Sequence, residues 1–197
     1  FATREHVETR RFTLAANWKL AVDVNFEGYH FPFVHGDTLD PIASNNSVFD
    51  VFGRHNRWAF PFRDIANFQT LPESDWPDQF FGTVVYGLFP SCVLVEAGGS
   101  YQMLRVYPGA TPAESVVYLT YGSPTPVTTD DEREFYRMAM DASCNVLCNQ
   151  DFPMAEACQR GLAGGVPEVL FGRNEPLLHH LATVWEQVLL GSAVAPG

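Results

Sequence analysis

Two carboxylates and two imidazoles, Asp23, Glu27, His30 and His35, fall within thirteen consecutive positions, set among Phe26, Tyr29, Phe31 and Phe33. Neutral imidazole is a metal ligand, and a nearby carboxylate can either join it or orient it. On a straight helix, residues five apart point about 140° from each other. Pro32 opposes a continuous helix, because it lacks an amide hydrogen and pushes the residue before it out of the helical region. A chain that leaves the helix after His30 would swing His35 back toward the same point. Two imidazoles and one carboxylate from elsewhere then make the face at which non-haem Fe(II) is held with three positions open. A plainer reading fits the same spacing: one surface histidine, one hydrogen-bonded core histidine, and four core aromatics.

The third ligand would have to come from the last third of the chain. The stretch from Asn149 to Gly161 places Asp151 at the junction of two predicted helices, ahead of Pro153. On composition alone an aspartate there reads first as the cap of a helix N-terminus, which needs no further reason. The other histidines carry less chemistry. His55 lies on a predicted strand from which it could face a pocket, His179 and His180 fall on the wet and half-wet sides of a terminal helix, and His6 has no partner pattern. Met103 and the phenylalanines of 80–89 are candidates to line a cavity under the sheet.

The elements that must position these groups read as follows. Residues 11–20 begin as a strand, 21–30 as a helix stopped by Pro32, and 36–47 as a loop. Four β-type stretches at about 48–60, 80–97, 100–108 and 114–122 are rich in Val, Phe and Tyr, with Gly98-Gly99 and Pro108-Gly109 as punctuation. Their short connections require antiparallel pairing. Thr129 followed by Glu132 is a capping-box pattern, and Phe135, Met138, Ala142 and Val146 keep helical spacing. A second helix is predicted from about Asp151 to Leu162, ending at Gly164-Gly165. A third opens at Pro176 and carries Leu177, Leu178, Leu181, Val184, Trp185 and Val188 on one face. The result is one α+β domain, an antiparallel β-sheet with helices packed on one side.

Composition sets the outer bounds. The chain has 197 residues, 46% of them hydrophobic, which is too many for a disordered chain. Its net charge of −11, with no Lys/Arg cluster, argues against nucleic acid as a partner. The longest apolar stretch, Val84 to Val95, is broken by Gly87, Pro90 and Ser91, so no membrane span is expected. Cys92, Cys144, Cys148 and Cys158 form no Cys-x-x-Cys pair, which suits reduced, mostly buried thiols and a cytoplasmic location. The chain opens on Phe1 with no signal-peptide pattern, so it is expected to be part of something longer.

The run Asn17-Trp18-Lys19 with Asp23, Glu27, His30 and His35, followed more than a hundred residues later by Asp151, Glu156, Gln159, Arg160, Gly161 and Leu162, resembles a known family. That family is the catalytic domain of the large (α) subunit of Rieske-type aromatic-ring-hydroxylating oxygenases. The resemblance runs in order along essentially the whole chain, including Gly172 to Pro176. It implies a helix-grip (START-like) fold over residues 1–197 and mononuclear Fe(II) held by His30, His35 and Asp151. It places Glu27 between that iron and the Rieske cluster of a neighbouring subunit, as a bridge for electrons; many members have Asp there, one methylene shorter. Tyr29 sits beside the ligand as in the family, and Asp23 matches an upstream acid that could support the site.

The resemblance also implies partners. Electrons would come from NAD(P)H through a reductase or ferredoxin and a Rieske [2Fe–2S] centre. With O2 they would hydroxylate a small aromatic or other apolar substrate, as in aromatic hydrocarbon catabolism. A homo-trimer or other homo-oligomer is expected. The Rieske centre needs two Cys and two His, and neither a Cys-x-His nor a Cys-x-x-His pattern occurs in these residues. The cluster is therefore expected in an N-terminal part absent from this chain. The rival reading is a non-catalytic helix-grip domain that binds a hydrophobic ligand. Such a binder has no use for His30, His35 and Asp151 together.

Overall fold

The β-rich middle of the chain folds as a run of hairpins. The computed structural model describes residues 4–78, 80–97, 99–165 and 168–191. The strands are β1 (Glu5–Leu14), β2 (Val48–Phe52), β3 (His55–Pro61), β4 (Gly82–Leu88), β5 (Cys92–Ala97), β6 (Ser100–Pro108) and β7 (Ser115–Ser123). They form one antiparallel sheet in the order β1-β7-β6-β5-β4-β3-β2, a meander from β2 to β7 with the first strand laid beside the last. Helices pack on one side of it. They are α1 (Trp18–Asp23), α2 (Phe31–Val34), α3 (Asp130–Val146), α4 (Phe152–Ala163) and α5 (Pro176–Leu189). No helix among the described residues is long and apolar enough to cross a membrane.

The core lies between the sheet and the helices. Alternate residues of β3, Asn56, Trp58 and Phe60, are buried, as the two-residue period of a strand requires. Val93, Leu104, Val106, Val117 and Leu119 extend this inner face, and Phe26, Met140, Leu147, Leu177 and Leu181 cover it. The capping box forms as its sequence suggests. Thr129 Oγ1 accepts from the Glu132 amide at 3.2 Å while the Glu132 carboxylate accepts from the Thr129 amide at 2.9 Å. Leu177, Leu178, Leu181 and Val184 are the buried stripe of α5.

Several local expectations are corrected. The stretches 48–60 and 80–97 are hairpins, not single strands. The first turns between Phe52 and His55 through Gly53, whose φ of +58° is a conformation such a two-residue turn demands and glycine adopts freely. The first strand ends at Leu14, and Asn17 caps α1 by accepting from the Lys19 amide at 2.9 Å. The expected helix over 21–30 is α1 plus a 3₁₀ turn at Val24–Phe26. Pro32 does not stop a helix but lies in the first turn of α2, where its missing amide hydrogen costs nothing. The predicted break at Asp151 is absent: α3 runs into α4 through a π-helical turn, Leu147–Asp151. Cys148 and Cys158 are exposed and only Cys92 and Cys144 are half-buried, so the thiols are free but not mostly buried.

Candidate metal centre

His30 and His35 stand at the two ends of α2. His30 precedes its single turn, and His35 leaves it at φ −112°, ψ 25°, which rotates the second ring back toward the first. Their Nε2 atoms are 3.1 Å apart. Asp151 enters from the other half of the chain, its Oδ1 at 3.1 Å from His35 Nε2 and 3.6 Å from His30 Nε2. One ligand atom from each of the three lies within 4.8 Å of the others. His35 and Asp151 are buried, and His30 nearly so.

Asp151 is not an N-cap. Its side chain makes no capping bond, and the backbone around it is helical. Pro153 has no amide hydrogen to give to the carbonyl four residues back, and the ladder widens just ahead of it. The Phe152 amide donates to Leu147 O, five residues back. Such π turns recur at functional sites. Here the turn carries the carboxylate that meets the two histidines.

The far edge of each ring is held. Glu27 is buried, one of its carboxylate oxygens engaging His30 Nδ1 and the other accepting from the His30 amide at 3.1 Å. His35 Nδ1 meets Gln150 Oε1 at 2.8 Å, and that oxygen also accepts from Thr38 Oγ1 at 2.8 Å. Both acceptors call for hydrogen on Nδ1, which leaves each Nε2, turned toward Asp151, to carry either a proton or a metal ion. Burial by itself would lower the His30 pKa, but hydrogen bonds to Asp151 and Glu27 outweigh it and push it up to about 9. Burial would raise the pKa of Asp151, yet the hydrogen bonds and charges of His30 and His35 hold it below the usual range. Groups that draw a proton this strongly also suit a divalent cation, which takes the proton's place. Two nitrogens and one oxygen converging in this way fit a mononuclear Fe(II).

The remaining expected residues separate. The Tyr29 ring is 67% exposed and packs on Phe33, 5.9 Å between centroids, so only its amide, bonded to Glu27, belongs to the cluster. Asp23 ends α1 and shares the wall of a cavity of about 520 Å³ with Glu27 and His30. Burial pushes its carboxyl up to about 7, partly offset by Lys19. His55 is exposed, its Nδ1 accepts from the Phe89 amide at 3.1 Å, and it is not part of the wall of either cavity beside the three ligands. Gln150 was not anticipated, although its place beside Asp151 was a signal. Glu156 and Gln159 tether the centre, their side chains accepting from the amides of Ala15 at 3.0 Å and Asn17 at 2.8 Å.

The three converging side chains line a second cavity of about 350 Å³, walled by Phe31, Trp58, Phe60, Val85, Leu104 and Leu147 among others. Met103 and the phenylalanines of 80–89 are not part of its wall.

A family model described as "Ring hydroxylating alpha subunit (catalytic domain)" matches residues 1–191. A search of curated proteins found no match to the sequence. Among solved structures, a quaternary ammonium Rieske monooxygenase aligns with a TM-score of 0.66 at 13% identity, over 95% of this chain and 50% of that one. Dicamba monooxygenase bound to 3,6-dichlorosalicylic acid aligns at 0.61 and 15%, over 96% and 60%. The Pseudomonas putida CBB5 NdmA QL mutant with theobromine aligns at 0.63 and 14%, over 94% and 50%. At these identities the likeness is one of fold, and this chain spans half to three fifths of those three chains' lengths.

Proposed function

The chain belongs to the ring-hydroxylating α-subunit catalytic domains, a family of oxygenases, and from that premise we propose that it holds mononuclear Fe(II) and hydroxylates an apolar or aromatic organic molecule with O2. The observation that carries this reading is the convergence of His30 Nε2, His35 Nε2 and Asp151 Oδ1 on the wall of an apolar cavity. Ferrous iron held there would supply the activation of O2.

The chain's own residues do the rest. His30, His35 and Asp151 would hold the ion. Glu27 and Gln150 fix the two rings from behind. Phe31, Trp58 and Phe60 exclude water and orient a flat substrate beside the ion. Glu27 faces the other cavity as well as His30, which suits it to pass electrons from a Rieske [2Fe–2S] centre fed by NAD(P)H through a reductase or ferredoxin. In this reading residues 1–197 are the catalytic domain alone, and the Rieske domain lies elsewhere in the whole protein. The exposed pair Tyr29 and Phe33 flanks Glu27 on the surface where that domain, from a neighbouring subunit of a homo-oligomer, would dock. Asp23 shares that cavity wall with Glu27.

Protein made anaerobically with ferrous iron tests the assignment. About one iron per chain is expected, lost in His30→Ala and in Asp151→Ala. Retention of iron by those variants rejects it.

A further inference from the structure

We propose that the cavity beside the three ligands selects an uncharged substrate, a small flat molecule bearing a hydrogen-bond acceptor for the Trp58 indole N–H, with the Gln102 amide as a second polar contact further along the same sheet. This rests on the reading above that the cavity is the substrate site.

The first argument is charge. Among the described residues that line the cavity, the only ionisable side chains are His30, His35 and Asp151. Neither lysine nor arginine reaches it, and its one carboxylate is committed to the two imidazoles. A carboxylate or quaternary ammonium entering this space would give up its hydration with no counter-charge in return.

The second argument is an unpartnered donor. Trp58 is 3% exposed and lines the cavity, yet its Nε1 is buried without a hydrogen-bond partner among the described residues. Indole nitrogen can only donate, and buried donors are nearly always paired. The ring cannot turn to find a protein acceptor. It stacks on Phe49 at 6.2 Å, lies 4.7 Å from Phe60, and its far edge is closed by Gly28. An acceptor on a bound molecule is what the position lacks.

The third argument lies three strands along the same sheet, in register with Trp58 through Val85 and Val95. Gln102 on β6 donates to Tyr121 Oη at 3.3 Å, which fixes its amide within the cavity lining. It is a neutral group able to donate or accept. A volume of about 350 Å³ sits near the lower end of ligand pockets, suited to one or two fused rings.

Four probes of one ring size separate the possibilities: benzamide, toluene, benzoate and benzyltrimethylammonium. Calorimetry on the metal-free chain and on the anaerobic Fe(II)-loaded chain should rank benzamide tightest, by about tenfold over each of the others. Trp58→Phe and Gln102→Leu should each cut the preference for benzamide over toluene by about tenfold. Should Trp58→Phe fail to fold by circular dichroism, Gln102→Leu and the wild-type ranking still decide. Either charged probe binding as tightly as benzamide in either form overturns the proposal, as does a preference unchanged in both variants. Iron content is read on the same samples. Iron bound with a charged probe preferred sinks the selectivity alone, whereas the expected ranking in protein that takes up no iron upholds it and sinks the oxygenase reading.

Discussion

Gln150 and Asp151 are consecutive residues that hold opposite edges of one ring. Gln150 Oε1 lies 2.8 Å from Nδ1 of His35, and Asp151 Oδ1 lies 3.1 Å from its Nε2. On a regular helix successive side chains diverge by about 100°. The π-helical turn that contains both lets them embrace the same imidazole.

Gln150→Leu should therefore loosen metal binding without removing a ligand. Its loss frees the His35 ring to choose the wrong tautomer, and such supporting contacts are worth about 10- to 100-fold in affinity. Titration with Co(II), followed by its visible spectrum, measures the effect. Gln150→Glu restores an acceptor and should recover most of the lost affinity. Equal affinity in wild type and Gln150→Leu would show that the contact positions nothing.

A second expectation concerns electrons. The four cysteines of this chain offer no Cys-x-His pattern for a Rieske cluster. The isolated 197-residue chain, loaded with iron and given NADH and a reductase, should form no hydroxylated product. Hydrogen peroxide supplies oxygen and two electrons together and should support slow turnover. Robust NADH-driven product formation by this chain alone contradicts the assignment of electron supply to another domain.

Leu119 is fully buried on β7 beneath the helices. Leu119→Ala removes methylenes from a close-packed site and should cost about 2–5 kcal/mol. Urea unfolding should show a lower midpoint with an unchanged slope. A loss below about 1 kcal/mol would mean that the sheet and helices do not meet there.

The capping box makes a pH-dependent contribution whose sign is fixed. Hydrogen bonds from the Thr129 and Thr128 amides, with their hydroxyls, pull the Glu132 carboxyl from 4.5 down to about 2. A depressed carboxylate stabilises the fold fully above its unfolded value and loses that contribution as pH falls through its folded one. The stability gap between wild type and Glu132→Gln should narrow steadily from pH 5 to pH 2 in thermal melts. A gap that stays constant over that range would mean the charge is not used.

Much of this was legible in the sequence because short-range chemistry determined it. Thr129 and Glu132 announce the start of α3, and Pro176 with its apolar stripe announces α5. His30, His35 and Asp151 were legible as a set only through the resemblance, since Asp151 alone read first as a helix cap. Other features depended on tertiary context. Gly53 marks a turn only once β2 and β3 pair, and Pro32 reads as a helix stop unless the helix begins beside it. The continuity of α3 and α4 was hidden because Pro153 breaks a regular ladder but not a widened one. Gln150 was hidden because its partners, His35 and Thr38, lie more than a hundred residues away.

That widened turn also sets a phase. A single extra residue rotates everything downstream on a helix by about 100°. Upstream of it Met140 packs in the core, and downstream Glu156 and Gln159 meet the amides of Ala15 and Asn17. Both halves are in register only with the turn counted in. A one-residue deletion between Leu147 and Gln150 would swing Asp151 off the histidines and Glu156 off its amide in the same motion. The centre and its anchorage thus share one rotational setting, and neither can be re-aimed without the other.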